Sequence, residues 1–124
     1  MSLEIKSYTP QDYMSMIGKA LKRVLKDRDY LLIFFGSVAK GKLKRTSDID
    51  VALYLGEKID PLTYAKIMEA VEELPMLRDM DLVDLAEIKD LSFLKEILEG
   101  GLIWKSSKDL LESLRRRLED TRKS

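Results

Sequence analysis

Three observations predict a small α/β (α+β) domain. Short apolar runs at 31–35, 46–55 and 80–86 read as strands. Segments with helical spacing and recognisable caps alternate with them. The chain has 124 residues, enough for one substantial core and too few for two.

The elements follow in order. Thr9-Pro10-Gln11-Asp12 reads as a helix start, with Thr9 as N-cap, Pro10 at the first position and an acid three residues after the cap. This helix should run to about residue 27 and bury Tyr13, Ile17, Ala20, Leu21 and Val24. Residues 31–35 are continuously apolar between Asp29 and Gly36, the pattern of a buried strand. Ser37 is placed to cap a short helical turn over 38–42. The strand at 46–55 alternates: Ile49, Val51, Leu53 and Leu55 share one face, Asp48 and Asp50 the other. Asp60-Pro61 opens a second long helix to about residue 73, with Leu62, Ala65, Ile67, Met68 and Val71 as its apolar side. Leu74-Pro75 stops it. After the strand at 80–86, Asp90 caps a helix over 91–99 that Gly100-Gly101 closes. Leu102-Ile103-Trp104 is a short edge strand, and Trp104 reads as core or as an interface anchor. Ser106 or Ser107 starts a final helix striped by Leu110, Leu111, Leu114 and Leu118. One domain over 1–124 is expected, with end helices at about 10–27 and 107–122.

Composition narrows the chemistry. Basic and acidic side chains balance at 22 each, so net charge gives no support for direct nucleic-acid or membrane binding. The charge is unevenly placed: Lys40, Lys42, Lys44 and Arg45 cluster before the aspartates, and Arg115, Arg116, Arg117, Arg122 and Lys123 near the end. There is no cysteine, hence no thiolate ligand or thiol nucleophile. There is no histidine either, which removes the usual general base and transition-metal ligand. A metal here must be hard and oxygen-bound, Mg2+ or Mn2+. No segment has the length of a membrane span and nothing resembles a signal peptide, so a cytoplasmic location is expected.

The segment 34–55 concentrates the chemistry. Asp48 and Asp50, one residue apart on a strand, stand about 6–7 Å apart on one face. Carboxylates at that spacing hold divalent cations, though a solvated strand end would look the same. The stretch Gly36 to Lys42 matches P-loop spacing superficially. It fails because Leu43 replaces the metal-binding Ser or Thr, and because a strand, not a long helix, follows. Two readings of Gly36-Ser37 remain. Either they approach a phosphate at the start of a helical turn, or they merely end a strand and cap a helix.

Gly36-Ser37, a ten-residue spacer and Asp48-Ile49-Asp50 together resemble the signature of the DNA polymerase beta-like nucleotidyltransferase superfamily. The short length is similar to its minimal nucleotidyltransferase branch. The likeness extends over about 30–105, through the Asp81 strand and the Gly100-Gly101-Leu102-Ile103-Trp104 segment. It implies a small mixed sheet with flanking helices. It further implies Asp48, Asp50 and Asp81 as catalytic carboxylates and ligands of Mg2+ or Mn2+, with Gly36 and Ser37 gripping the phosphates of ATP or another nucleoside triphosphate. Lys40 stands where relatives often carry arginine, and with Lys42 it would neutralise phosphate charge without a bidentate fork. Asp84, on the other face of the same strand, competes with Asp81 for the third position. Tyr54 shares the aspartate face, either stacking on a base or simply half-buried.

The resemblance implies a metal-dependent transfer of a nucleoside monophosphate, AMP from ATP, to an acceptor hydroxyl. Divalent cations favour such transfer by stabilising attacking and leaving oxygens. With no acceptor domain evident, the acceptor belongs on another protein. Relatives of this kind act as antitoxins beside a helical HEPN-domain partner. The alternative is a non-catalytic nucleotide-binding or partner-occluding protein on the same fold. The last helix leaves a homo-oligomer open as well.

Overall fold

The computed structural model describes residues 8–122; Lys123 of the C-terminal basic cluster lies outside them. Nine elements follow in order: α1 (Pro10–Leu25), β1 (Leu31–Phe35), α2 (Gly36–Ala39), β2 (Ile49–Tyr54), α3 (Pro61–Glu72), β3 (Met80–Asp84), α4 (Leu91–Gly100), β4 (Leu102–Lys105) and α5 (Lys108–Arg122). The strands form one mixed sheet in the order β3-β2-β1-β4. β1 runs antiparallel to β2 and to β4, while β2 and β3 are parallel.

Strand parity divides the core into two layers. On one face Leu32, Phe34, Ile49, Val51 and Leu53 pack against Ile17 and Leu21 of α1 and Ile67 and Val71 of α3. On the other, Leu31, Ile33, Ala52 and Tyr54 pack against Leu94 and Ile97 of α4 and Leu114 of α5. Helix caps hold the layers in register. Thr9 and Asp12 form a reciprocal capping box, and the side chains of Asp60 and Asp90 accept amides at the starts of α3 and α4. α5 is fastened through Arg117, whose guanidinium donates to the carbonyls of Leu85 (3.0 Å) and Ile88. Among the described residues no helix is long and apolar enough to cross a membrane.

The structure corrects several local expectations. The turn after β1 starts at Gly36 and not at Val38; Phe35 is its N-cap, and no side chain caps it. Ser37 is therefore inside the first turn and not in front of it. β2 begins at Ile49 because residues before Asp48 form a turn, in which Ser47 N–H donates to the Lys44 carbonyl (3.1 Å). β3 stops at Asp84, whose carboxylate accepts the Ala86 amide (3.0 Å) and bends the chain away. α3 is less amphipathic than its sequence suggests: Ile67 and Val71 are buried, but Leu62 is 65% exposed and Ala65 is exposed. Val24 is only half-buried, since α1 turns Leu21 and Leu25 inward in its place.

Trp104 packs edge-on to Phe34 with ring centroids 5.5 Å apart, and its indole lies directly against Gly18 of α1. A Cβ at Gly18 would overlap the indole nitrogen. Gly18→Ala is therefore expected to destabilise the fold by about 1–3 kcal/mol through overpacking. That exceeds the helix-propensity gain of about 1 kcal/mol from replacing a helical glycine. A lower denaturation midpoint at unchanged slope checks it; a higher midpoint would show that the indole moves aside freely.

Candidate active site

Asp48, Asp50, Asp81 and Gly36 meet at one end of the sheet, and the pairing of strands puts them there. β1 ends at Phe35, which lies opposite Asp50 in the antiparallel ladder. β3 enters parallel to β2 with Asp81 beside Asp50. Neighbours in register share a face, so Asp50 and Asp81 project to the side that α4 and α5 cover. The cover is incomplete. Ala52 and Tyr54 are buried beneath it, Asp50 is half-buried at its margin, and Asp48 and Asp81 are exposed. The result is an acidic ledge at the open end of a buried layer.

Gly36 belongs to this ledge through its backbone. Its φ is +69°, a conformation that costs a side-chain-bearing residue about 1 kcal/mol or more. A Cβ there would also collide with Oδ2 of Asp50. The glycine and the aspartate of the sequence motif are thus in direct contact across β1 and β2. Ser37 follows in the first turn of α2, where amides have no partner within the helix and face whatever approaches the turn.

Burial at this margin raises the Asp50 carboxyl above its ordinary range, and the negative charges of Asp81 and Asp48 raise it further. Ionised Asp50 consequently costs stability. Its favourable contribution to folding is complete below the unfolded value of 3.8 and is lost as pH rises through the higher folded value. Asp50→Asn is expected to raise Tm at neutral pH by roughly 2–4 °C. The gain should shrink toward zero below pH 3.8. Paired melting curves across that range check both statements.

The donors here are carboxylate oxygens alone, the set that suits a hard divalent cation. Such a cation would relieve the repulsion that burdens Asp50. Among the described residues no three acidic side chains are already arranged closely enough to enclose a cation.

Comparison with known proteins shows the family. The family model for polymerase beta nucleotidyltransferases matches residues 19–109, which include every residue of the ledge. The chain belongs to the polymerase beta nucleotidyltransferase family. The probable protein adenylyltransferase MntA of Haemophilus influenzae is 33% identical over 84 residues, 68% of each chain. Among solved structures, a toxin–antitoxin crystallised with AMP-PNP superposes with a TM-score of 0.66 at 21% identity, covering 86% of this chain and 85% of the other. An MNT antitoxin complexed with the tri-AMPylated HEPN toxin of Shewanella oneidensis gives 0.60 at 21% identity, covering 92% and 87%. At that identity these structures establish a shared fold: a four-stranded mixed sheet with flanking helices.

Other residues singled out in the sequence lie elsewhere or serve other ends. Asp84 is engaged by backbone: its carboxylate accepts the amides of Ile59 (2.9 Å) and Ala86 (3.0 Å) on the face opposite Asp81. Tyr54 is 8% exposed beneath α5, with its hydroxyl 3.3 Å from Ser113 Oγ; it is a packing residue remote from the ledge. Lys40 and Lys42 are exposed on the segment leaving α2, and neither enters an ion pair among the described residues. Lys44 and Arg45 are exposed in the turn before Asp48.

One wall of the ledge escaped sequence reasoning. Phe35, directly across from Asp50, stacks edge-on against Phe93 of α4 with centroids 5.7 Å apart. Phe35 of this apolar pair lies on the strand next to Asp50. Phe35 has the parity of Leu31 and Ile33, a readable signal, but the partner helix is a tertiary fact.

Proposed function

We propose that this nucleotidyltransferase moves AMP from ATP to a side-chain hydroxyl of a partner protein, with pyrophosphate as the leaving group. The partner would be a HEPN-type toxin and this chain its antitoxin, acting in the cytoplasm where ATP is supplied. The observation that carries the reading is the close contact of Gly36 with the Asp50 carboxylate, with Asp81 beside Asp50 in the sheet and Asp48 two residues before it. The likeness to the probable protein adenylyltransferase of Haemophilus and to the antitoxin beside the AMPylated Shewanella toxin supports the choice of AMP and of acceptor.

In this reading Asp48, Asp50 and Asp81 hold Mg2+ or Mn2+, which when bound supplies charge neutralisation at the attacking and leaving oxygens. Gly36 lets the backbone lie close against Asp50, and the amides of Gly36 and Ser37 orient the triphosphate. Lys40 and Lys42, free to swing, add positive charge at the phosphates. Asp81, exposed beside Asp50, accepts the proton of the attacking hydroxyl, a task for a carboxylate in a chain without histidine.

The test is label transfer from α-labelled ATP with magnesium and a co-expressed HEPN-type partner. Label on a partner tyrosine, serine or threonine is the expected result. Neutralisation of the toxin without any label would favour occlusion over transfer.

A further inference from the structure

Arg78 has no place in the motif, yet it holds the turn that delivers Asp48. Its Nη1 donates to two backbone carbonyls at once, Lys44 at 2.6 Å and Ser47 at 2.7 Å. Those residues close the turn before Asp48, in which Ser47 Oγ also accepts the Lys44 amide (3.0 Å). The guanidinium is anchored in its turn over the ring of buried Tyr13 in α1, 5.3 Å from the centroid. One residue further along, the Asp79 carbonyl accepts the Ile49 amide (2.9 Å), and Asp81 follows two residues later. The same short segment thus grips the entrance of β2 and leads into β3, the strand bearing the third carboxylate.

We infer that Arg78 is a positioning residue for the cation site, fixing the turn 44–47 and thereby the separation of Asp48 from Asp81. The inference rests on the nucleotidyltransferase reading given above. Asp48 is exposed and outside the β2 ladder, so no strand hydrogen bonds of its own hold it. Two charge-assisted bonds from one guanidinium supply that constraint on the chain just before it. Supporting groups of this kind set how well carboxylates converge on a cation that repels no one of them but that each must meet at short range.

Arg78→Met keeps an unbranched chain over Tyr13 and removes the donors; Arg78→Lys keeps one charged donor. Three readouts on the full chain separate the possibilities: thermal melting, amide exchange of the 44–50 segment, and Mn2+ titration with a non-hydrolysable ATP analogue. The expected result is faster exchange at Ile49 and roughly tenfold weaker Mn2+ affinity in Arg78→Met. Arg78→Lys should fall between it and the wild type, and it carries the test should the Met variant fail to fold. Unchanged Mn2+ affinity together with a lower Tm would overturn the inference and leave Arg78 a purely structural residue. Wild-type protein that takes up no Mn2+ with the analogue would instead overturn the parent reading, and this one with it.

Discussion

Asp48→Asn combined with Asp50→Asn should abolish nucleotidyl transfer, by at least roughly 10³-fold, while the protein remains folded. The two parts of this expectation come from the same geometry. Both side chains sit on the open margin of the sheet, Asp48 exposed and Asp50 half-buried, so the core does not depend on their charge. Their negative charges, together with that of Asp81, are an unfavourable feature of the unliganded fold. In the proposed reading, replacing them removes the carboxylates that would hold a cation and eases the repulsion. A variant that is inactive and yet melts at or above the wild-type temperature would show stability given up for function. Persistence of label transfer in the double variant would remove these aspartates from the chemistry.

Gly36→Ala is expected to cut transfer by roughly 10²-fold, the penalty typical of displacing a reacting group by about 1 Å. Two physical effects combine. The new methyl group would occupy the space of Asp50 Oδ2, and the φ of +69° disfavours any L side chain. The strained backbone should cost about 1–2 kcal/mol of stability. Relief of the overlap must come from rotation of the Asp50 carboxylate away from the ledge, since the pairing of β1 with β2 holds the backbone up to Phe35 and Asp50. Kinetics at saturating nucleotide and cation distinguish this from simple unfolding: a folded variant with a depressed kcat is the expected outcome. Wild-type kcat in Gly36→Ala would mean that Asp50 does not need its present orientation.

Much of the site was legible before any coordinates. Asp48 and Asp50 share a face because side chains alternate along an extended chain, whatever surrounds it. Gly36 marks the end of β1 because the apolar run stops there. The choice between Asp81 and Asp84 was not legible. Both flank the same strand, and only the ladder shows Asp81 beside Asp50 and the Asp84 carboxylate consumed by two amides. Tyr54 shows the same limit from the other side. Its parity matches the aspartates, but α5 lies over that end of the face.

By itself the sequence determined the periodicities, the caps and the pairing of a glycine turn with a strand of alternating acids, because these depend on local stereochemistry. The tertiary structure alone decided which faces were covered, where the ledge stayed open, that Arg78 would hold the turn before Asp48 and that Phe93 would meet Phe35. Those relations join residues far apart in the chain, and no local rule encodes which of them will meet.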